Sequence, residues 1–251
     1  MELIEFFKDM INDIKKRLKP IYKYLRFFIL IVLFFISSIF KLIPIYILDL
    51  DINNLSSNTQ AWLTLFSNSV LVILSILLYF KDIKKHFINL KKMKKKKLII
   101  TFDSAFRYWL IGLAIMIVSN FIIGKLGVGS SSNDTSVINM LESSPIAAGI
   151  SVILLAPFIE EMVFRMGFKD VLNKKWLFIL TSGIIFGSIH VIGAVNSPFE
   201  LLYLIPYCSL GIAFATIYED SDNIFVNFLF HVLHNALTAF ISFLLAGVIL
   251  W

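Results

Sequence analysis

One cysteine, Cys208, in 251 residues excludes an internal disulfide and any cysteine-built metal cluster. Charge is scarce too: Asp, Glu, Lys and Arg make up 16% of the chain, where a soluble domain carries about 25%. With 58% of residues hydrophobic, too few polar side chains remain to build a water-facing surface around one core. The mean hydropathy of +0.84 agrees. Alanine and glycine are absent from residues 1–60, so a cleaved signal peptide with a small-residue processing site is not expected and the first apolar run is read as an anchor. No internal repeat is visible, which removes the usual support for an inverted-repeat transporter.

What is present is apolar length. Runs long enough to span a bilayer fall at about 27–48, 61–80, 106–124, 145–168, 176–195, 199–217 and 223–250, judged against roughly 20 residues per crossing. The last run is long, and residues beyond Ala246 are a candidate for a short extra segment. The expected fold is therefore an all-α polytopic bundle of seven or eight spans. Before it, Leu3, Phe7, Met10, Ile14 and Leu18 fall at helical spacing among lysines. This predicts an amphipathic helix lying on the membrane, ended by Pro20. The chain divides into a basic N-terminal segment (1–25), three spans with their loops (26–144) and a polar-centred core (145–251).

The net charge of +6 does not indicate a nucleic-acid partner, because the lysines sit in short connections between apolar runs. Residues 81–97 hold nine lysines and one aspartate, whereas 49–60 hold no lysine or arginine. The N-terminus and the lysine-rich loop are thus expected in the cytoplasm of a plasma membrane, the 125–144 loop outside, and the Lys169, Lys174, Lys175 loop inside. The partner implied throughout is the lipid bilayer.

Ionisable groups inside hydrocarbon cost at least about 2.5–3.5 kcal/mol each at a helix centre, so their location is informative. They gather in the C-terminal half: Glu160, Glu161 and Arg165 in the fourth span, His190 in the fifth, and His231 and His234 in the seventh, with the polar Asn235 beside them. Glu161 and Arg165 are four apart in the favourable order for one helical face, and Glu160 points about 100° away. Asn227, His231 and Asn235 form an i, i+4, i+8 stripe. Gly183 and Gly187 precede His190 in a small-xxx-small pattern that permits close helix approach. A carboxylate and two imidazoles in an apolar pocket can hold a divalent metal, such as zinc, that activates water. Alternatively, the glutamate acts as general base while imidazole and amide groups steady the oxyanion. The bland reading is polar helix–helix bonding, which seldom uses glutamates.

EExxxR at Glu160, Glu161 and Arg165, FxxxH at Phe186 and His190, and HxxxN at His231 and Asn235 resemble the three signatures of the CAAX-protease and bacteriocin-processing (CPBP, or Abi) family of intramembrane proteases. Together they cover about residues 145–240. The resemblance implies a helical bundle opening to the cytoplasm, with Glu160 activating water, His190 beside it, and His231 and Asn235 at the oxyanion. It also implies that Glu161 and Arg165 orient the site, and that any metal would be held by Glu160, His190 and His231. His234 lies outside the pattern, and its plain reading is a packing residue.

The function expected is thus an intramembrane endopeptidase cutting a membrane-associated peptide or protein near the cytoplasmic face. The alternatives are a bacteriocin self-immunity or regulatory protein that binds without turnover, and a proton pathway. Richness in Lys, Ile, Asn and Phe suggests an AT-rich bacterial source, where a pheromone or bacteriocin precursor suits better than a prenylated tail. At 1.5 Å per residue, Glu160 lies roughly 12 Å from Phe168 and His231 roughly 12 Å from Asn223, but His190 lies roughly 21 Å from Trp176. The fifth helix is therefore expected to protrude or tilt, and a cytoplasmic start of its span some six residues after Trp176 would level all three.

Overall fold

The computed structural model describes residues 2–193 and 195–245, excepting the side chains of 2–4, 6–17, 19, 243 and 245. Among these residues, seven helical segments are long and apolar enough to cross a membrane: Pro20–Ile47, Ser57–Lys91, Lys95–Lys125, Pro145–Val171, Lys175–Ile192, Pro198–Ser221 and Ile224–Ser242. The protein is an all-α polytopic bundle. The extra segment considered beyond Ala246 lies outside the described residues.

The first helix, α1 (Glu2–Ile36), contains Pro20 in its interior, which corrects the expectation that this proline ends a separate surface helix. Proline removes one N–H and crowds the preceding turn, but it does not unpair the turns on either side. The run that follows enters hydrocarbon, where an unpaired backbone is more costly than one missing bond. The amphipathic face expected before Pro20 rests on side chains outside the described residues. From Pro20 to Ile36 only Arg26 and Leu30 are buried, one turn apart on the face that meets the bundle. A 3-10 turn (Ser37–Lys41) and α2 (Leu42–Ile47) complete this crossing.

Helix α3 (Ser57–Lys91) is joined by a short turn to α4 (Lys95–Lys125), which packs mainly on α10 rather than on α3. At 35 residues α3 is ~52 Å long, so it outruns a hydrocarbon core of ~30 Å; four of the nine lysines, Lys81, Lys84, Lys85 and Lys91, sit near its C-terminal end, and the other five lie in the turn and at the start of α4. Ser56 caps α3 by accepting the Thr59 N–H. A short α5 (Ser132–Ser143), capped by Ser131 through the Asp134 N–H, lies across the opposite end.

The fourth crossing is not a regular α-helix. It runs α6 (Pro145–Ile150), a π turn (Ser151–Leu155), α7 (Ala156–Glu161), a second π turn (Met162–Gly167) and α8 (Phe168–Val171). Glu160 and Glu161 stand between the two π turns, a backbone irregularity often found at functional sites. The bundle closes with α9 (Lys175–Ile192), a 3-10 turn (Pro198–Tyr203), α10 (Leu204–Ser221) and α11 (Ile224–Leu245). The glycine pair on α9 is used against α10: a Cβ on Gly183 would lie 2.6 Å from the Ile212 nitrogen, and one on Gly187 2.5 Å from the Cys208 nitrogen. Cys208 is thereby a helix-contact residue.

Helix α9 runs from Lys175, so a cytoplasmic start of the span some six residues after Trp176 would leave its first turns protruding. His190 still reaches its partners, so the mismatch in depth is taken up by tilt or protrusion of α9. Its exposed first turn at Lys175 and Trp176 fits that account.

Candidate active site

Glu161 is wholly buried and is satisfied from three directions. Arg165 Nε donates to Oε2 at 3.1 Å, the Asn227 amide donates to the same oxygen, and His231 Nδ1 donates to Oε1 at 2.8 Å. Arg165, also wholly buried, donates to Ser182 Oγ at 2.6 Å, and Ser182 donates on to the Phe164 carbonyl at 2.5 Å. A buried ion pair depends on further hydrogen bonds to its polar atoms; Ser182 and Asn227 supply two of them, while Arg165 Nη2 has no hydrogen-bond partner among the described residues.

Glu160 faces the other way and keeps 15% of its side chain exposed. Its Oε1 lies 3.7 Å from His190 Nε2 and its Oε2 lies 3.5 Å from His231 Nε2. Both imidazoles commit the other nitrogen elsewhere: His190 Nδ1 lies 2.8 Å from the Phe186 carbonyl, an obligate acceptor, and His231 Nδ1 is held by Glu161. In the neutral rings, therefore, Nε2 carries a lone pair, and it is this lone pair that turns toward Glu160. Aromatic rings hold these positions. Phe214 stacks on His231 at 4.5 Å, Tyr207 stacks on His190 at 5.3 Å, and the Phe186 ring packs against both imidazoles and beneath the Arg165 guanidinium.

Asn235 sits one turn beyond His231 and donates to the Val152 carbonyl at 2.8 Å. The location has a local cause. In the π turn, Val152 would bond the nitrogen five residues ahead, which belongs to Pro157 and carries no hydrogen. Asn235 supplies the missing donor and pins α11 to the turn that leads into Glu160. His234 is buried against Phe214, with no hydrogen-bond partner at Nδ1 among the described residues.

The structure thus brings Glu160, Glu161, Arg165, His190 and His231 into one cluster and sets Asn235 at its edge. The sequence stripe includes Asn227 but assigns it no partner, and Ser182, Phe214 and Tyr207 are not singled out there as supporting residues. A signal existed for Ser182, which lies four before Phe186 and eight before His190. It also missed a second ionic cluster. Arg26 donates to Asp170 at 2.5 and 2.6 Å and to Asp82, while Tyr79 donates to Asp170 at 3.1 Å. This clamp joins α1, α3 and α8, just past the glutamates.

Neighbouring ligands of a tetrahedral zinc lie roughly 3.3 Å apart. The two separations from Glu160 approach that spacing, and the donors are of the His2Glu type. Among the described residues, no group of three His, Cys, Asp or Glu is gathered tightly enough to hold an ion.

A seven-span bundle around a buried carboxylate and imidazole cluster defines a polytopic membrane protein with a polar reaction-sized centre. Residues 142–237 match the family model of Rce1-like type II CAAX prenyl endopeptidases, so an Rce1-like CAAX protease domain occupies that part of the chain. A Bacillus subtilis protein named "Putative membrane peptidase YdiL" is 28% identical over 137 residues, covering 51% of this chain and 52% of the relative. The UPF0177 protein YvdC of Lactococcus lactis is 26% identical over 133 residues, covering 50% and 49%. An uncharacterized Mycoplasma capricolum protein is 26% identical over 200 residues, covering 73% and 57%. The chain spans about half the length of the curated relatives it matches. No solved structure matches it.

Proposed function

We propose that this protein is an intramembrane endopeptidase that hydrolyses a peptide bond of a membrane-associated peptide or protein, with Glu160 activating the water. One observation carries the reading: two imidazole lone pairs and a carboxylate, all acceptors, face one another across 3.5 and 3.7 Å. A water in that gap donates to Glu160 and to an Nε2 and presents its own lone pair outward. Glu160 takes one water proton as the oxygen attacks the scissile carbonyl carbon. The C–N bond then breaks, and Glu160 returns the proton to the leaving amine, giving a carboxylic acid and an amine. The second amide hydrogen of Asn235 is available to the oxyanion; His231 can serve it only when its Nε2 is already protonated, in which case Glu160 and His190 hold the water. A divalent metal held by Glu160, His190 and His231 would polarise the same water and lower its pKa to around 7.

The lysine asymmetry supports an N-terminus in the cytoplasm of a bacterial plasma membrane. His231 lies ~10 Å from the start of α11 on the lysine side, which favours a cut near the cytoplasmic face. The test is reconstitution of the full chain in vesicles with a panel of membrane-anchored peptides, reading products by mass spectrometry alongside metal content. Cleavage should fall by at least about 100-fold in Glu160→Ala. Undiminished cleavage in that variant would sink the mechanism.

A further inference from the structure

His190 lies two residues before the end of α9, so no further helical turn follows to hold its ring. The other imidazole, His231, is seven residues inside α11 and is gripped by a buried glutamate. His190 is also the more open of the two, with 18% of its side chain exposed against 3%. One face of its ring is covered by Tyr207 of α10, at 5.3 Å between centroids and 19° between planes.

Tyr207 is itself held from outside the helical core. Its hydroxyl donates to Asp134 Oδ1 at 2.6 Å, receives the Asn133 amide at 3.0 Å, and lies 3.2 Å from Ser131 Oγ. All three partners belong to the four residues that open α5. Four residues earlier, at the end of the 3-10 turn that leads into α10, Tyr203 donates to the Gly129 carbonyl at 2.6 Å, so two tyrosines grip the stretch 129–134. Stacking on a histidine that contacts Glu160 is more than this segment needs for its own anchorage.

We propose that Tyr207 is a positioning residue for His190: the 131–134 segment fixes the phenol, and the phenol holds the imidazole with Nε2 toward Glu160. The proposal rests on the reading of this cluster as the reactive centre. α5 then acts as a strap across the end of the bundle remote from the lysines, closing that side of His190 while the segment is bonded.

The experiment is acylation of the full chain in lipid nanodiscs by diethyl pyrocarbonate, with the rate at each histidine read by mass spectrometry. His86, packed on Tyr218 near the lysine-rich end, is the internal reference. Tyr207→Ala should speed His190 about tenfold relative to His86, and Tyr207→Phe, which keeps the stack but frees the strap, by a few-fold. Asp134→Ala should behave as Tyr207→Phe does, whereas Asp134→Asn, which keeps an acceptor oxygen, should stay near the parent rate. An unchanged His190 rate in Tyr207→Ala, or an equal rise at His86, overturns the proposal. Acylation does not depend on turnover, so failure of the protease reading would show separately, in the cleavage assay of Glu160→Ala.

Discussion

His231 Nδ1 lies 2.8 Å from Glu161 Oε1, so the second glutamate of the pair orders the histidine that faces the first. Adjacent carboxylates on one helix, about 100° apart, are thereby given different tasks. Glu161 is the electrostatic anchor, closed off with Arg165 and Asn227, and Glu160 is left partly open with unprotonated ring nitrogens opposite.

That division predicts different failures for the two residues. Glu160→Gln should insert and fold like the parent protein yet lose at least about 100-fold in peptide cleavage, and His190→Ala and His231→Ala should also lose cleavage. Near-normal cleavage in any two of the three would remove the basis for water activation at this cluster.

Arg165→Ala should fail by instability. It leaves Glu161 buried with its opposite charge gone, a change that costs about 3–5 kcal/mol, and thermal unfolding in detergent with the recovered yield is the measurement. A variant as stable and as active as the parent would show that Glu161 does not depend on Arg165.

The clamp at Arg26 should behave as one unit. Arg26→Ala and Asp170→Asn should each lower the unfolding temperature, and the double variant should cost less than their sum, with a coupling of about 0.5–3 kcal/mol. Lys23, 3.6 Å from Asp170, is placed to soften the loss of Arg26. Strict additivity would mean that α1 is held by apolar contact alone.

Gly187→Ala tests the approach of α9 to α10. A Cβ at 2.5 Å from the Cys208 nitrogen forces a backbone shift, and overpacking of this kind costs about 1–3 kcal/mol. His190 lies three residues on, so cleavage should fall along with stability. Gly129→Ala, where a Cβ meets nothing within 4 Å, is the control and should match the parent.

Orientation is tested in a Cys208→Ala background with single cysteines at the exposed positions Ser136 and Lys174. An impermeant thiol reagent on intact cells should label the cysteine at 136 and spare the one at 174. The reverse pattern would place the lysine-rich loop outside.

The sequence alone determined the order and approximate bounds of seven spans, because a bilayer demands long apolar helices and each leaves an unbroken record in composition. It also determined which residue types are out of place in hydrocarbon, and the three short motifs that group Glu160, Glu161, Arg165, His190, His231 and Asn235. Periodicity located the glycines of α9, but not that α10 is what they meet. What only the tertiary structure decided is how those residues divide the work. Whether His231 bonds Glu161 or Glu160, whether Asn235 turns to a carbonyl freed by Pro157, and whether Tyr207 lies over His190 all depend on helix rotation and tilt. Side-chain spacing along one helix carries no information about the rotation of its neighbour. The same holds for the Pro20 region, where local preference expected a break and the energy of keeping backbone groups paired beside lipid kept the helix running.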